Sequence, residues 1–458
     1  MQNLSSFLQR LGLLSAAIGL LNTSTALAQT PRAFTAGNYV VARVGDGTAA
    51  LNSAATATFL LEYTAAGMLV QTITLPVVNA SPNLALTETG SSGTDAGLTR
   101  SADGRYLVLP GYNATPGTAA LAGTTSAANN RLIGLIAADG TINTTTRITD
   151  AFSGGNIRGA ASANGSAFYA VGNSGGVVYV PLANAAASTT ISTGSPTNDR
   201  VINIFGGNLY VTSGSTPAYG VAQVGTRLPI TSGQAQTLLT NVVPTSGTAV
   251  AASPYSFFFT DQSSTVAGLD VLYVADDGSA TTTPGGIQKW SLVGSTWTLN
   301  GTIGTTAAAL RGLTGSVSGS AVTLLASSAS SLYAVTDNAG YNAAPSTTTL
   351  PAAIATAGTN TAFRGVAPAP LGTALATRPE ATQGQLALYP NPTQAVLTIS
   401  LTTGSAAGHL AEVRDLLGRT VRTAMLPASG QLNLVGLPAG SYLLTVDGSL
   451  TRRISKAE

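Results

Sequence analysis

The residues able to do chemistry are few. There is one histidine, His409, and no cysteine, so everything before residue 386 lacks an imidazole to act as a base or a soft metal ligand. Histidine-assisted hydrolysis and zinc chemistry have no groups to work with there. Gly172-Asn173-Ser174-Gly175-Gly176 matches G-x-S-x-G, yet such a serine needs a base and sits on a strand-to-helix elbow, whereas this one falls between two strand-like runs. It reads as a glycine-rich turn.

Carboxylates remain, because two of them suffice for glycoside cleavage. The candidates are Glu62, Glu88, Asp95, Asp150, Asp199, Asp261 and Asp270. Most lie near strand ends, where a carboxylate caps backbone N–H groups, and that structural role is the preferred reading. Asp276-Asp277-Gly278 has calcium-ligand chemistry without the remaining ligands at EF-hand spacing. A hairpin turn is expected, and neither a metal nor a cofactor is implied.

Arg100, Arg158, Arg200, Arg311 and Arg364 each accompany a repeated unit, typified by Arg158-Gly159 and Arg311-Gly312. If their side chains point into a common channel, they form an anion-attracting ring with forked donors. The preferred reading is that each arginine ties its unit to carbonyls or carboxylates of the next, as residues repeated in every unit do. Tyr112 and Tyr341 recur in two Gly-Tyr-Asn-Ala loops, and Trp290 and Trp297 flank an expected hairpin. Their aromatic faces suit stacking on a sugar, while loop packing and a cross-strand Trp pair are the structural alternatives.

The elements that position these residues are short β-like runs such as NYVVARVG from Asn38, AFYAVG from Ala167 and DVLYVADDG from Asp270, without a helical period. Turns at Asp103-Gly104, Asp139-Gly140 and Asn164-Gly165 have hairpin chemistry. The repeats, spaced about forty to sixty residues apart, suit four-stranded propeller blades. Copies occur at Arg100, Arg158, Arg200, Arg311 and Arg364, with one lacking arginine near Thr248 to Phe258. Six blades are expected, with seven as the alternative.

The last copy, AFRGVAPAP, has no strands after it, and the first strands have no such unit before them. Supplying the inner strand of the first blade from the C-terminal copy closes the ring and leaves no bare sheet edge. The segments NTAFRGVAPAP and YVVARVGDG also resemble a loose group of secreted bacterial propellers without a common activity.

Charged residues make up 8% of the 458-residue chain and hydrophobic ones 44%. Such a chain can fill a core and lacks the charge that keeps a disordered one expanded. Between Gln29 and Pro370, twelve basic residues face thirteen acidic ones. Nucleic-acid binding has no basic face to use. Residues 1–28 read as a signal peptide, with Arg10, an apolar run from Leu11 to Leu21 and an Ala26-Leu27-Ala28 site. That run is too short to span a bilayer comfortably, and no integral membrane segment is expected in the mature protein.

After a linker at 371–385, residues 386–458 alternate like a small Ig-like β-sandwich. They contain LALYPNP, DLLGRTV and LPAGSYLLTV followed by a basic tail. This pattern resembles the type A C-terminal sorting domain of the type IX secretion system, the export route of Bacteroidota. The resemblance implies that Tyr389, Pro390, Asn391, Pro392, Gly418, Arg419, Gly440 and Tyr442 are folding and recognition elements. It also implies that the basic tail near Lys456 is the part most open to the machinery. Arg452, Arg453 and Ser455 interrupt the short apolar tail usual in that family.

The combined expectation is an all-β protein, a β-propeller over 29–370 followed by the sorting sandwich, sent through the periplasm to the surface or medium. Its secretion-machinery partner follows from the resemblance. The propeller is expected to be a non-catalytic binding module for an extracellular glycan or peptide. A carboxylate- or calcium-dependent glycan enzyme and a structural surface protein are the alternatives.

Overall fold

A computed structural model describes residues 32–185, 187–194, 196–214, 220–239, 253–279, 284–372, 386–401, 405–415, 419–446 and 450–458. The signal-like segment 1–28, most of the linker, Gly418 and the start of the Thr248 repeat copy lie outside them. The chain divides into two compact units, up to Gly372 and from Thr373 onward.

In the first unit the described strands form four four-stranded antiparallel sheets and one of nine strands; the nine-stranded sheet consists of two four-stranded portions joined by a short strand, and each portion is counted below as a sheet of its own, the first and the second. The first holds Tyr39–Val44, Ala55–Tyr63 and Leu69–Thr74, with Ala362–Pro368 added beside Tyr39–Val44. The late strand thus completes the earliest sheet. The second runs from Thr99–Arg100 through Tyr106–Tyr112 and Arg131–Ala137 to Ile142–Ile148, and the short strand Thr87–Thr89 joins it to the first. The third begins with Ile157–Ala161 and ends with Thr189–Ser192; the fourth spans Asp199–Phe205 to Gln236–Leu238. The fifth spans Pro254–Thr260 to Thr296–Ile303, and the sixth Gly312–Ser318 to Ala355–Thr356.

Each sheet buries both faces against its neighbours. Val40 and Ala42 pack toward Leu107 and Leu132 of the second sheet, while Tyr39 and Val41, pointing the other way, pack on Leu325 and Leu332 of the sixth. Equivalent clusters join second to third, third to fourth, fourth to fifth and fifth to sixth. A strand buried on both faces loses polar alternation. That is why these runs read YVVARV and VVYVP, and it accounts for much of the low charge content.

The innermost strands, first in chain order within five sheets, touch in a closed cycle: Ala362–Pro368, Thr99–Arg100, Ile157–Ala161, Asp199–Phe205, Pro254–Thr260, Gly312–Ser318 and back. The fold is an all-β propeller followed by sandwich-like sheets. Gly104, Gly140 and Gly165 take positive φ at the expected hairpin turns. Ser174 is exposed in the turn between Ala167–Gly172 and Val177–Pro181, with no helix after it.

The second unit has a sheet of Leu386–Tyr389, Val396–Leu401 and Gln431–Asn433. A second sheet holds Thr420–Met425, Leu410–Arg414, Gly440–Val446 and Leu450–Lys456. Leu397 and Ile399 of one sheet share a core with Val413, Leu444 and Ile454 of the other.

Candidate binding site at the propeller axis

The repeated Arg-Gly pair has a geometric origin. Each inner strand passes so close to the next that a side chain at the glycine would strike backbone. A Cβ on Gly365 would lie 2.1 Å from the Leu98 nitrogen, one on Gly97 2.6 Å from the Arg158 oxygen, and one on Gly312 2.9 Å from the Arg364 oxygen. Backbone bonds run across the same contacts, from Gly365 N–H to Ala96 O at 3.1 Å, Gly97 N–H to Arg158 O at 2.9 Å and Ser256 N–H to Arg311 O at 3.1 Å. Equivalent positions around the axis are therefore Arg364, Ala96, Arg158, Arg200, Tyr255 and Arg311. Arg100 is not among them.

The four equivalent arginines bond neighbouring sheets rather than forming an open ring. Arg158 Nη1 donates to Asn198 Oδ1 at 2.5 Å and Asp199 O at 3.2 Å. Arg200 Nη1 reaches Ser253 Oγ at 2.6 Å and its guanidinium lies 4.4 Å from the Tyr255 ring centre. Arg311 pairs with Asp277 at 2.7 Å on the other side of that ring's sheet. Arg364, buried, donates to Phe363 O and Gly90 O, each at 3.0 Å. Only Arg311 and Arg364 line the narrow cleft at this end, together with Asp95, and its free volume is about 30 Å³. That space accommodates about one water molecule.

The carboxylates are also built into the fold. Glu62 accepts Asn38 Nδ2 at 2.6 Å, the Thr35 N–H at 2.8 Å and Gln71 Nε2 at 2.7 Å, fastening the start of the first sheet. Asp95 accepts Asn156, Ser92, Thr89 and Tyr112. Glu88, fully buried, is pushed well above the ordinary carboxyl range by burial and then by Asp95, with Arg364 opposing. Asp270 caps the Gln262 and Ser263 N–H groups, and Asp150 caps Ser188.

Asp276-Asp277-Gly278 is not a hairpin turn. It is the irregular end of strand Val271–Ser279, where Asp276 accepts the Ser253 and Gly278 N–H groups and Asp277 is engaged by Arg311. Buried backbone donors explain the repeated acids. No group of three or more His, Cys, Asp or Glu positioned to hold a metal occurs among the described residues.

Asp199 is pushed up to about 7 by burial, against a bond from Gln236 and the charge of Arg158. A carboxyl raised on folding makes the native state bind more protons, so its contribution falls as pH rises from the ordinary aspartate range toward 7. Asp199→Asn is expected to gain about 1–3 kcal/mol relative to wild type between pH 5 and pH 8, measured by urea denaturation. An unchanged difference between the two pH values would contradict this.

The tyrosines are not exposed ligand platforms. Tyr112 is fully buried, its hydroxyl 3.4 Å from Asp95 and its ring 4.9 Å from the Arg131 guanidinium. Tyr341 is partly buried against the cluster shared by the fifth and sixth sheets and donates to Leu292 O at 2.6 Å. Trp290 and Trp297 are buried and do flank a hairpin, but they lie opposite Leu299 and Leu292 rather than each other. A loop tyrosine beside apolar strands gains more by inserting its ring than by presenting it to water.

Farther along the inner strands, a cavity of about 330 Å³ opens on the axis. It is lined by Leu98 to Ala102, Asn203 to Gly207, Ser256 to Phe258, Leu313 to Gly315 and Val366 to Pro368. Among the described residues Arg100 is its one charged lining residue. Burial lowers the Arg100 pKa, with Tyr39 opposing, and one guanidinium nitrogen donates to Ala369 O at 3.2 Å. Sequence reasoning missed Asn203, Phe205 and Phe258 in this lining. Their signal is positional, a few residues beyond each Arg-Gly unit or its equivalent.

In the second unit, Asn391 bonds the last strand: its Nδ2 donates to Arg453 O at 3.2 Å and its Oδ1 accepts the Ser455 N–H at 2.8 Å. Thr393 pairs beside Lys456. The basic tail is thus a paired strand next to Gly440–Val446, rather than a free end. Lys456 is half-buried and its Nζ donates to Ala457 O at 2.6 Å. Tyr389 is exposed beside Pro390 and Pro392, Arg419 pairs with Asp415 at 2.7 Å, and Gly440 opens the strand opposite the tail. Tyr442 is buried with its hydroxyl donating to Pro438 O at 2.8 Å.

Residues 387–457 match the family described as the secretion system C-terminal sorting domain. The chain carries a type IX secretion C-terminal sorting domain. That domain marks export to the cell surface or extracellular space and implies recognition by the secretion machinery. No curated protein matches the chain. The nidogen/laminin complex structure is 12% identical, covering 72% of this chain and 98% of that one with a TM-score of 0.42. TolB from Acinetobacter baumannii is 9% identical over 73% of this chain and 67% of its own, TM-score 0.38. A gluconolactonase of Xanthomonas campestris is 12% identical over 74% and 98%, TM-score 0.35. Among the described residues no helix is long and apolar enough to cross a membrane.

Proposed function

We propose that this exported protein is a non-catalytic binding propeller, its six sheets acting as six blades around an axial ligand site. Residues 1–28 direct it to the periplasm, 29–370 form the working body, and 371–385 link it to the sorting domain at 386–458, which is removed on export. The observation that carries the binding role is the axial cavity, whose lining among the described residues has a guanidinium and no carboxylate. Two-carboxylate cleavage has neither acid nor base at that position. Glu88 is enclosed, and Asp95 is held by five side chains. An extracellular glycan or peptide fits the reading.

Deletion of 386–458 is expected to abolish appearance of the protein outside its host cell. Mass spectrometry of medium and washed cells checks this, with wild type beginning at Gln29 and lacking the sorting domain. Unchanged export after the deletion would overturn the domain assignment of the working part. Capture of glycans or peptides by the purified protein tests the binding role, and turnover of a captured glycan would replace it with an enzymatic one.

A further inference from the structure

We propose that the axial cavity selects a small carboxylate carrying an aromatic or branched apolar body, with Arg100 as its counter-ion. This deepens the binding role and rests on it. The cavity is at the small end of ligand sites, and its volume of about 330 Å³ excludes a folded partner or a long polymer from the interior.

Its chemistry is lopsided. Among the described residues Arg100 is the only charge on the lining, and one of its five donors reaches Ala369 O. Two neighbouring hydroxyls are already engaged: Thr99 Oγ1 donates to Ala160 O at 2.7 Å, and Ser101 Oγ to Asp103 at 2.6 Å. The facing wall includes Phe205 and Phe258, partly exposed and in edge contact at 6.0 Å between ring centres.

A guanidinium fork matches a carboxylate in two parallel bonds. Phosphate brings more charge than one arginine neutralises. A bare sugar gives the guanidinium no anion to neutralise. The apolar body of the acid covers the phenylalanine wall while its carboxylate meets the cation, so both halves of the lining are satisfied.

The full chain is titrated into 3-(4-fluorophenyl)propionate, its uncharged propionamide and phenyl phosphate, with binding read from fluorine NMR line widths. The acid is expected to bind at least about tenfold more tightly than the amide. Arg100→Gln removes that preference, and Arg100→Lys, which keeps charge without the fork, restores part of it. Equal binding of acid and amide overturns the proposal, as does an acid preference that survives Arg100→Gln or tighter binding of phenyl phosphate. Should Arg100→Gln fail to fold, the acid and amide comparison on wild type decides. Loss of all three probes with glycan or peptide capture intact defeats this selectivity and leaves the binding role standing; loss of capture as well defeats both.

Discussion

Gly365→Ala is expected to lower stability by about 3–4 kcal/mol, seen as a fall in melting temperature of about 6–10 °C. The reason is the closed ring of inner strands. The added Cβ would stand 2.1 Å from the Leu98 nitrogen and 2.8 Å from the Ala96 oxygen, both backbone atoms of the adjacent inner strand. In an open sheet the neighbour would move aside. Here Ala362–Pro368 is held on one side by the second sheet's inner strand and on the other by the sixth's, and also pairs with Tyr39–Val44. Relief on one side tightens the other, so the strain remains. Gly123→Ala serves as the control, because nothing lies within 4 Å of its Cβ position, and its change is expected to stay within about 0.5 kcal/mol. A Gly365→Ala protein as stable as wild type would show that the ring is looser than its backbone contacts require.

Asp337→Ala is expected to cost about 3–5 kcal/mol, because it strands a buried cation. Lys289 Nζ lies 2.7 Å from Asp337 Oδ2, both side chains are fully shielded from solvent, and the Tyr273 hydroxyl donates to the same oxygen at 2.7 Å. The other oxygen accepts the Ala339 and Ser346 N–H groups at 3.0 and 2.9 Å. Removing the carboxylate leaves Lys289 with its charge and no counter-ion. The double variant Lys289→Met, Asp337→Leu is expected to recover much of the loss, since it removes both charges. Urea denaturation of the wild type, Lys289→Met, Asp337→Leu and the double variant measures the coupling. Additive effects would contradict an ion pair.

The pH dependence has a fixed sign. Burial raises the Asp337 carboxyl, but Lys289, the two backbone N–H groups and Tyr273 outweigh it, and the net shift is downward. A depressed carboxyl stabilises the fold fully above its unfolded pKa, near 4, and loses that contribution as pH falls through the lower folded value. Below about pH 4 the gap between wild type and Asp337→Ala should therefore narrow. A gap constant from pH 7 to pH 2 would mean that the carboxyl does not titrate with folding.

The positions of Gly159, Gly312 and Gly365 were legible as a repeat, and the unmatched copy at Phe363 announced the closing strand, because strand spacing and turn chemistry are local. The repeat's meaning was not. Arg100 looks like a member of the arginine set, but across-axis backbone bonds put Ala96 at that level and Arg100 deeper, beside the cavity. Short spacing differences in a turn shift a residue by several ångströms along the axis, and linear sequence has no measure of that shift.

The depth of Tyr112 was not legible for a related reason. A Gly-Tyr-Asn-Ala loop looks exposed until the neighbouring sheet covers it, and only packing decides which aromatic in a neutral surface is inside. The pairing of the basic tail near Lys456 was likewise not legible, because nothing local says that Asn391 and Thr393 fasten it. The sequence alone determined the all-β composition, the repeated strand units and the export module, since these follow from periodicity and contiguous motifs. Tertiary structure decided which arginine meets an open cavity and which carboxylates are enclosed, because burial and charge pairing depend on residues brought together from distant parts of the chain.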